Sequence, residues 1–309
     1  MKAVVKPIQL QKRAVCISDI HGHLELFEKL LDKVGYTPDD TLVLLGDLFL
    51  KGPRLHDTLG RLIELSHSPN VHILRGNCDW QGWLEEGALS PAEIAWLDDL
   101  PHILDAGSHI FVHGGLPSEN LAGLDDWACM KNDAFMEQEL SFSRWVVTGH
   151  WPAFNYCHQI PCHNPIVNAP KRIIAIDGGC VIKDSGQLNA FLIENGAFSF
   201  EAVDSLPPAR IDKAQEERGG TLNITWNDRP IEIVEQDGEF STVRHIATGT
   251  LLTIPNTYLF TESDGGISGC SCGTDYFLPV TAGETVSLVE EFSDRILAKK
   301  NGAVGWILK

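Results

Sequence analysis

No stretch of the chain is long and apolar enough to span a bilayer, and Met1 to Leu10 lacks the apolar block of a secretory signal. An integral membrane protein is therefore not expected, and a reducing, cytoplasmic setting is. Basic residues are scarce, with 24 Lys and Arg against 42 Asp and Glu, which leaves a formal charge of −18. Such a surface repels nucleic-acid backbone and anionic lipid, so neither duplex nucleic acid nor membrane is an expected partner. The eight cysteines also lack the spacing of a four-ligand zinc site. Cys270 and Cys272, and Cys157-His158 before Cys162-His163, offer pairs without a clear second half, so thiols are the expected state. There is no internal repeat.

What the chain does have is a globular composition, 43% apolar and 21% charged over 309 residues, enough for one large domain and a smaller one. Buried-strand runs stand at Ala14 to Ser18, Thr41 to Leu45 and Val71 to Leu74. Helical periodicity follows the first through Leu24, Phe27, Leu30, Leu31 and Val34, and the second through Leu55, Leu59, Leu62, Ile63 and Leu65. Ser90-Pro91-Ala92-Glu93 predicts a helix start, with Ser90 as cap and Glu93 reaching back. Further strands are expected at 109–112, 145–148, 173–176 and 188–193. This order predicts an α/β sandwich with polar clusters at its strand ends. Residues 1–204 form the expected catalytic domain and 205–220, polar with Pro and Gly, the expected linker. Short strand-like runs over 221–309 predict a small all-β domain, with a long Gly-rich loop at 264–273.

The residues that close the early strands carry the chemistry. They are Ser18-Asp19-Ile20-His21-Gly22, Gly46-Asp47-Leu48-Phe49-Leu50-Lys51-Gly52 and Arg75-Gly76-Asn77-Cys78-Asp79. Later strands deliver Val112-His113-Gly114-Gly115, Thr148-Gly149-His150 and Ile176-Asp177-Gly178-Gly179-Cys180. One Asp-x-His motif signifies little, but six clusters in order, each beside glycine at a strand end, describe a site.

That order resembles the calcineurin-like metallophosphoesterase superfamily, and within it the branch of bacterial phosphoprotein phosphatases and diadenosine-polyphosphate hydrolases. The resemblance covers about residues 14 to 195. It implies a four-layer α/β/β/α sandwich and two divalent ions, Asp19, His21 and Asp47 holding one, and Asp47, Asn77, His113 and His150 the other. The mixed donors favour manganese, with iron, zinc or nickel also suited. A bridging water acidified by two cations would attack phosphorus in line. Arg75 and Lys51 are the basic candidates for the remaining phosphate oxygens, Lys51 replacing the family's arginine without its fork geometry.

Two departures narrow the expectation. Protein phosphatases of this type read Gly-Asp-x-Val-Asp-Arg-Gly and Gly-Asn-His-Glu, where that histidine protonates the leaving oxygen and the second aspartate orients it. Here those positions hold Cys78 and Leu50. Positioned acid catalysis supplies about 10²–10⁴-fold, and a thiol of pKa ~8.5 is a weak donor. An alkoxide needs that proton more than a phosphate or a phenolate does. Some small phosphodiesterases of the superfamily also carry Gly-Asn-Cys-Asp. The expected substrate is therefore a phosphoanhydride, a phosphodiester or an aryl monoester, with a serine/threonine phosphatase and a metal-holding pseudoenzyme as alternatives. His23 is a candidate substitute acid, and Trp80 with Trp83 are candidate pocket walls. The last strands, around 281–291 and 301–308, resemble bacterial SH3-like domains, which implies peptide or partner binding.

Overall fold

A computed structural model of the chain describes all residues except 81, 83, 84, 86, 181, 271 and 272. The chain divides into two compact units, Met1–Ala153 with Pro165–Ser205, and Phe154–Asn164 with Leu206–Lys309.

The first unit is built on two mixed sheets. In one, β2 (Arg13–Ile17), β3 (Thr41–Leu44) and β4 (Val71–Ile73) run parallel, and β10 (Leu188–Glu194) and β11 (Ala197–Val203) continue the sheet antiparallel beside β2. In the other, the order is β1 (Val5–Pro7), β5 (Ile103–Asp105), β6 (His109–Val112), β7 (Trp145–Thr148), β9 (Ile173–Ala175) and β8 (Ile166–Asn168). Here β6, β7 and β9 are parallel neighbours.

The pleat explains why β2 and β3 read as unbroken apolar runs. Val15, Ile17, Leu42 and Leu44 face one cluster, together with Phe27 and Leu30 of α1 (Leu24–Lys33) and Leu59 and Leu62 of α2 (Leu55–Ser66). Ala14, Cys16 and Val43 point the other way, into a second cluster with Phe111, Val147 and Ile174 of the other sheet. Both faces are covered, so neither can be polar. The expected cap is present at α3 (Pro91–Asp98). Ser90 Oγ accepts from Glu93 N, and the Glu93 carboxylate accepts from Ser90 N at 2.7 Å.

Register sets the site. Ile17 pairs with Leu44 and Leu44 with Ile73, while Val112 pairs with Thr148 and Thr148 with Ala175. Within each sheet the parallel strands thus end level, and the six polar loops all leave from carboxyl ends, where open α/β sheets bind ligands.

The second unit is strand-built. It has an antiparallel sheet of β12 (Pro208–Arg210), β18 (Thr285–Glu291), β19 (Arg295–Lys300) and β20 (Ala303–Leu308). A second sheet holds β13 (Ile231–Asp237), β14 (Phe240–His245) and β15 (Leu251–Pro255), and β16 (Leu259–Thr261) pairs with β17 (Ile267–Gly269). Two differences from the sequence expectation have physical reasons. The stretch 205–220 is not a free connector, because β12 forms a sheet edge, Ile211 is buried and Gln215 pairs with Val280. Proline misled there, since Pro208 opens an edge strand, a position that tolerates it. The expected loop at 264–273 holds β17. Residues 154–164 also belong to this unit, through His163 N to Gly302 O (2.9 Å) and Asn223 N to His158 O (2.8 Å).

Candidate metal centre

Backbone strain marks the site before its side chains are considered. Asp19, His21, Asp47 and His150 all have positive φ, at 57°, 48°, 50° and 64°. Such conformations cost about 1–3 kcal/mol each in a non-glycine residue and persist only where surroundings enforce them. Glycine enforces the close approach. A Cβ on Gly76 would lie 2.3 Å from both Asp47 N and Asp47 Oδ1, and one on Gly149 would lie 2.5 Å from Asp19 Oδ2. Only a hydrogen lets these loops touch.

The side chains then converge. His113 Nε2 lies 3.3 Å from Asp47 Oδ1 and 3.2 Å from Asn77 Oδ1. His21 Nε2 lies 3.6 Å from Asp47 Oδ2 and 3.8 Å from Asp19 Oδ1. Asp47 therefore stands between two sets of donors. Ligand atoms of Asp19, Asp47 and His113 lie within 4.8 Å of one another, as do those of His21, Asp47 and Cys78. The His150 ring centroid is 5.3 Å from that of His113, and its backbone N–H donates to Asp19 Oδ2 at 3.0 Å.

Hydrogen bonds fix the tautomers. His21 Nδ1 meets the Leu50 carbonyl at 2.9 Å and His113 Nδ1 meets the Leu45 carbonyl at 2.7 Å. A carbonyl only accepts, so each Nδ1 carries the proton and each Nε2 turns a lone pair into the cluster. His150 is reversed, because its Nε2 faces a carboxylate oxygen, Asp133 Oδ1 at 2.7 Å, which only accepts and is itself paired with Lys131. Nδ1 is then its nitrogen available to a cation.

The electrostatics call for positive charge. Asp19, Asp47, Asp79 and Asp177 are each at most 2% exposed, and several ionised carboxylates buried together are costly without cations. Burial pushes the Asp79 carboxyl up to about 7, with Asp47 adding to the effect. Burial, then Asp19, raises Asp177 well above the usual carboxylate range, and its Oδ2 is buried without a hydrogen-bond partner. Burial disfavours charge on His113, but Asp47, Asp19 and Asp79 outweigh it and raise its pKa. A proton is favoured where a metal's charge would otherwise serve. Oxygen and imidazole donors, inward lone pairs and an orphaned carboxylate oxygen all suit divalent cations.

Around this cluster the remaining candidates separate. Asp79 is a tie, taking Leu48 N–H at 2.8 Å and Gly76 N–H at 2.9 Å, and so locks the Asp47 loop to the Asn77 loop. Sequence reasoning quoted Asp79 and Asp177 without giving either a role. Ser18, Lys131 and Asp133 went unnoticed as supports; only the hydroxyl of Ser18, next to Asp19, stood near a recognised motif. Arg75 is held by the protein itself, its Nε donating to the Asp79 carbonyl (3.1 Å) and its Nη1 to Asp98 (3.1 Å). Lys51 lines a cavity of about 430 Å³ with Leu50, Asn77 and Cys78. Burial opposes its charge, but Cys78, Asp47 and Asp19 outweigh this and raise its pKa. Burial likewise pushes the Cys78 thiol up. His23 caps no helix hydrogen bond, and burial lowers its pKa. Trp80 lines a second cavity with Asn77, whereas Trp83 lies outside the described residues. Among the described residues, no group of three metal-type side chains includes Cys157, His158, Cys162, His163 or Cys270; Cys272 lies outside them.

A sequence profile of the calcineurin-like phosphoesterase family matches residues 12–235. The chain is 45% identical over 65 residues to the symmetrical bis(5'-nucleosyl)-tetraphosphatase of Acidovorax ebreus (strain TPSY), covering 21% of this chain and 22% of that protein. It is 30% identical over 132 residues to the protein of the same name from Neisseria gonorrhoeae (strain NCCP11945), covering 35% and 47%. The matched regions thus span less than half the length of these curated relatives. A solved structure described as a candidate diadenosine tetraphosphatase shares the fold, with a TM-score of 0.52 at 20% identity over 66% of this chain and 99% of that one. The profile match covers most of the chain, and it does so over the same strand-end loops that gather the donors: the chain belongs to the calcineurin-like phosphoesterase family.

Proposed function

We propose that the chain is a dinuclear phosphohydrolase acting on phosphoanhydrides, with dinucleoside polyphosphates as the substrate class and phosphodiesters or aryl monoesters as poorer substrates. Asp19, His21 and Asp47 would hold one ion, and Asp47, Asn77, His113 and His150 the other, with manganese the favoured metal. When bound, such a pair acidifies water and neutralises phosphoryl oxygens. The chain's own residues do the rest. The Leu45 and Leu50 carbonyls hold two imidazoles with Nε2 inward, Asp79 holds the loops of Asp47 and Asn77 together, and Lys51 offers a positive charge to a phosphate entering its cavity. We also propose that α1–α3 and the two sheets are three layers of the family's four-layer sandwich, and that the strand-built unit is an SH3-like module that binds a peptide or partner.

The observation that carries the substrate reading is the wall of that cavity. Leu50 and Cys78 line it beside Asn77 and Lys51, where the family's phosphatases carry their acid and its orienting aspartate. An alkyl leaving group would depart there without a good proton donor. A phosphate leaving from an anhydride is stable as it goes. The relatives named symmetrical bis(5'-nucleosyl)-tetraphosphatases support the same substrate class.

The test is a panel on manganese-loaded protein of a dinucleoside tetraphosphate, a bis-aryl diester, an aryl monoester and a phosphoserine peptide. Turnover should fall in that order. Fast phosphoserine hydrolysis would refute the reading from Cys78, and no turnover with both ions bound would leave the pseudoenzyme.

A further inference from the structure

Next to the ligand cluster lies a second cavity, of about 540 Å³, whose walls include Arg75, Asn77, Trp80, Asp98 and Trp127. Its volume falls in the range of small-molecule sites. Asn77 belongs to both this cavity and the one beside Lys51, so the two share a wall formed by a candidate metal ligand.

Both indoles are exposed to solvent. Trp80 and Trp127 are each 49% exposed, on a wall where an apolar ring gains nothing from water. Each is also anchored to a ligand loop. Trp80 directly follows Asp79, the buried tie between the Asp47 and Asn77 loops. A Cβ on Gly82 would lie 2.8 Å from the Trp80 ring, so bare backbone packs against that indole. Trp127 sits on α4 (Asp126–Met130), which begins with Asp125 accepting from Ala128 N–H at 3.0 Å. The Cys129 carbonyl of that helix accepts from Gly114 N–H at 2.7 Å, directly after His113. Both tryptophans are thus carried by segments tied to the loops that carry the donors. Arg75 is paired with Asp98 at 3.1 Å, which neutralises a charge in the wall and leaves Arg75's planar group part of the lining.

We propose that this cavity is a nucleobase subsite, in which Trp80 and Trp127 receive the base of a nucleotide whose phosphate lies at the ligand cluster. The proposal rests on the phosphoanhydride reading above and deepens it by assigning the group that selects nucleotides over other polyphosphates. Stacking on aromatic side chains tolerates any base, since each has a π-face. The subsite therefore selects for a base, not for one particular base.

The test compares adenosine 5'-monophosphate with ribose 5-phosphate, which keeps the sugar and phosphate and lacks the base. Binding is measured by calorimetry on the manganese-loaded full chain. Wild type should bind the nucleotide on the order of tenfold more tightly. Trp80→Ala and Trp127→Ala should each remove most of that gap, and Trp80→Phe should keep it. Equal affinities in wild type, or a gap that survives both alanine variants, would overturn the proposal. Because this readout is binding, it is independent of turnover. A chain that shows the gap yet fails to cleave diadenosine tetraphosphate keeps its subsite and loses the anhydride reading.

Discussion

Cys78 and Asn77 are neighbours with opposite expected roles, and substitution separates them. Asn77 Oδ1 lies 3.2 Å from His113 Nε2, the closeness that the proposal of one ion shared by both requires. Asn77→Ala should reduce bound metal from two ions per chain to one and lower turnover at least about a hundredfold; elemental analysis of the purified variant reads the first effect directly. Cys78 lines the cavity beside the cluster. Cys78→His should raise alkyl monoester turnover, by less than the about 10²–10⁴-fold of a well-placed acid, because Leu50 supplies no carboxylate to orient it. Loss of metal instead, with no gain in monoesterase activity, would make Cys78 a ligand, consistent with its place within 4.8 Å of the donors of His21 and Asp47. At this scale the sequence was most legible where chemistry and backbone coincide. Asp19, His21, Asp47 and His113 stand at strand ends beside or near glycine, and there they are in the fold. Arg75 was less legible, since neighbouring a motif does not decide which way a long side chain turns, and Asp98 lies 23 positions away in the chain.

At the scale of elements, the loops matter more than the strands that carry them. The Asp47 and Asn77 loops meet with no room for a methyl group at Gly76. Gly76→Ala should therefore act on the site more than on the core. We expect weakened metal binding and at least about tenfold lower kcat/KM, with a stability loss in the usual range of about 1–3 kcal/mol for overpacking. Metal titration and thermal denaturation of the same sample would measure both, and unchanged metal affinity would contradict the close-approach argument. The parallel strands and α1–α3 were readable from apolar runs, periodicity and the Ser90 cap. Of the strands the sequence did not reveal, β1 and β8 stand at the edges of their sheet with no fully buried residue, so they lack the buried run that marks the equally short β4 and β9. Residues 154–164 could not be assigned to a unit from local pattern either, since their placement depends on pairing with residues 223 and 302.

Across the whole molecule, net charge and the buried acidic cluster pull together. A chain with a formal charge of −18 and four carboxylates buried in one place should depend on cations for stability as well as for catalysis. Chelation should lower the melting temperature, and manganese should restore it in proportion to RT ln(1 + [L]/Kd). The metal-free protein should also be sensitive to acid. Burial, with His113 beside it, lowers His150 from an ordinary 6.5 to about 4. Between those values the unfolded chain binds the proton and the folded chain does not, so the contribution of His150 to stability falls as pH drops from 6.5 towards 4. The slope is at most about 1.4 kcal/mol per pH unit from this group. Asp79, raised to about 7, and Asp177, raised well above the carboxylate range, act in the opposite direction, because the folded chain holds their protons where the unfolded chain does not. Imidazole NMR of the metal-free protein between pH 7 and pH 5 reads His150 by itself, and titration near 6.5 in the folded state would show that it is not held neutral.

The central claim is that the chain keeps its metal ligands without the acid that usually accompanies them. A series of aryl phosphates of graded leaving-group pKa, hydrolysed by the manganese-loaded enzyme, tests this directly. A steep fall of log kcat/KM with rising leaving-group pKa is the predicted result, because the departing oxygen must bear its charge unaided. A flat line would contradict the account, since it would mean that some group of the chain protonates the leaving oxygen in place of the missing histidine.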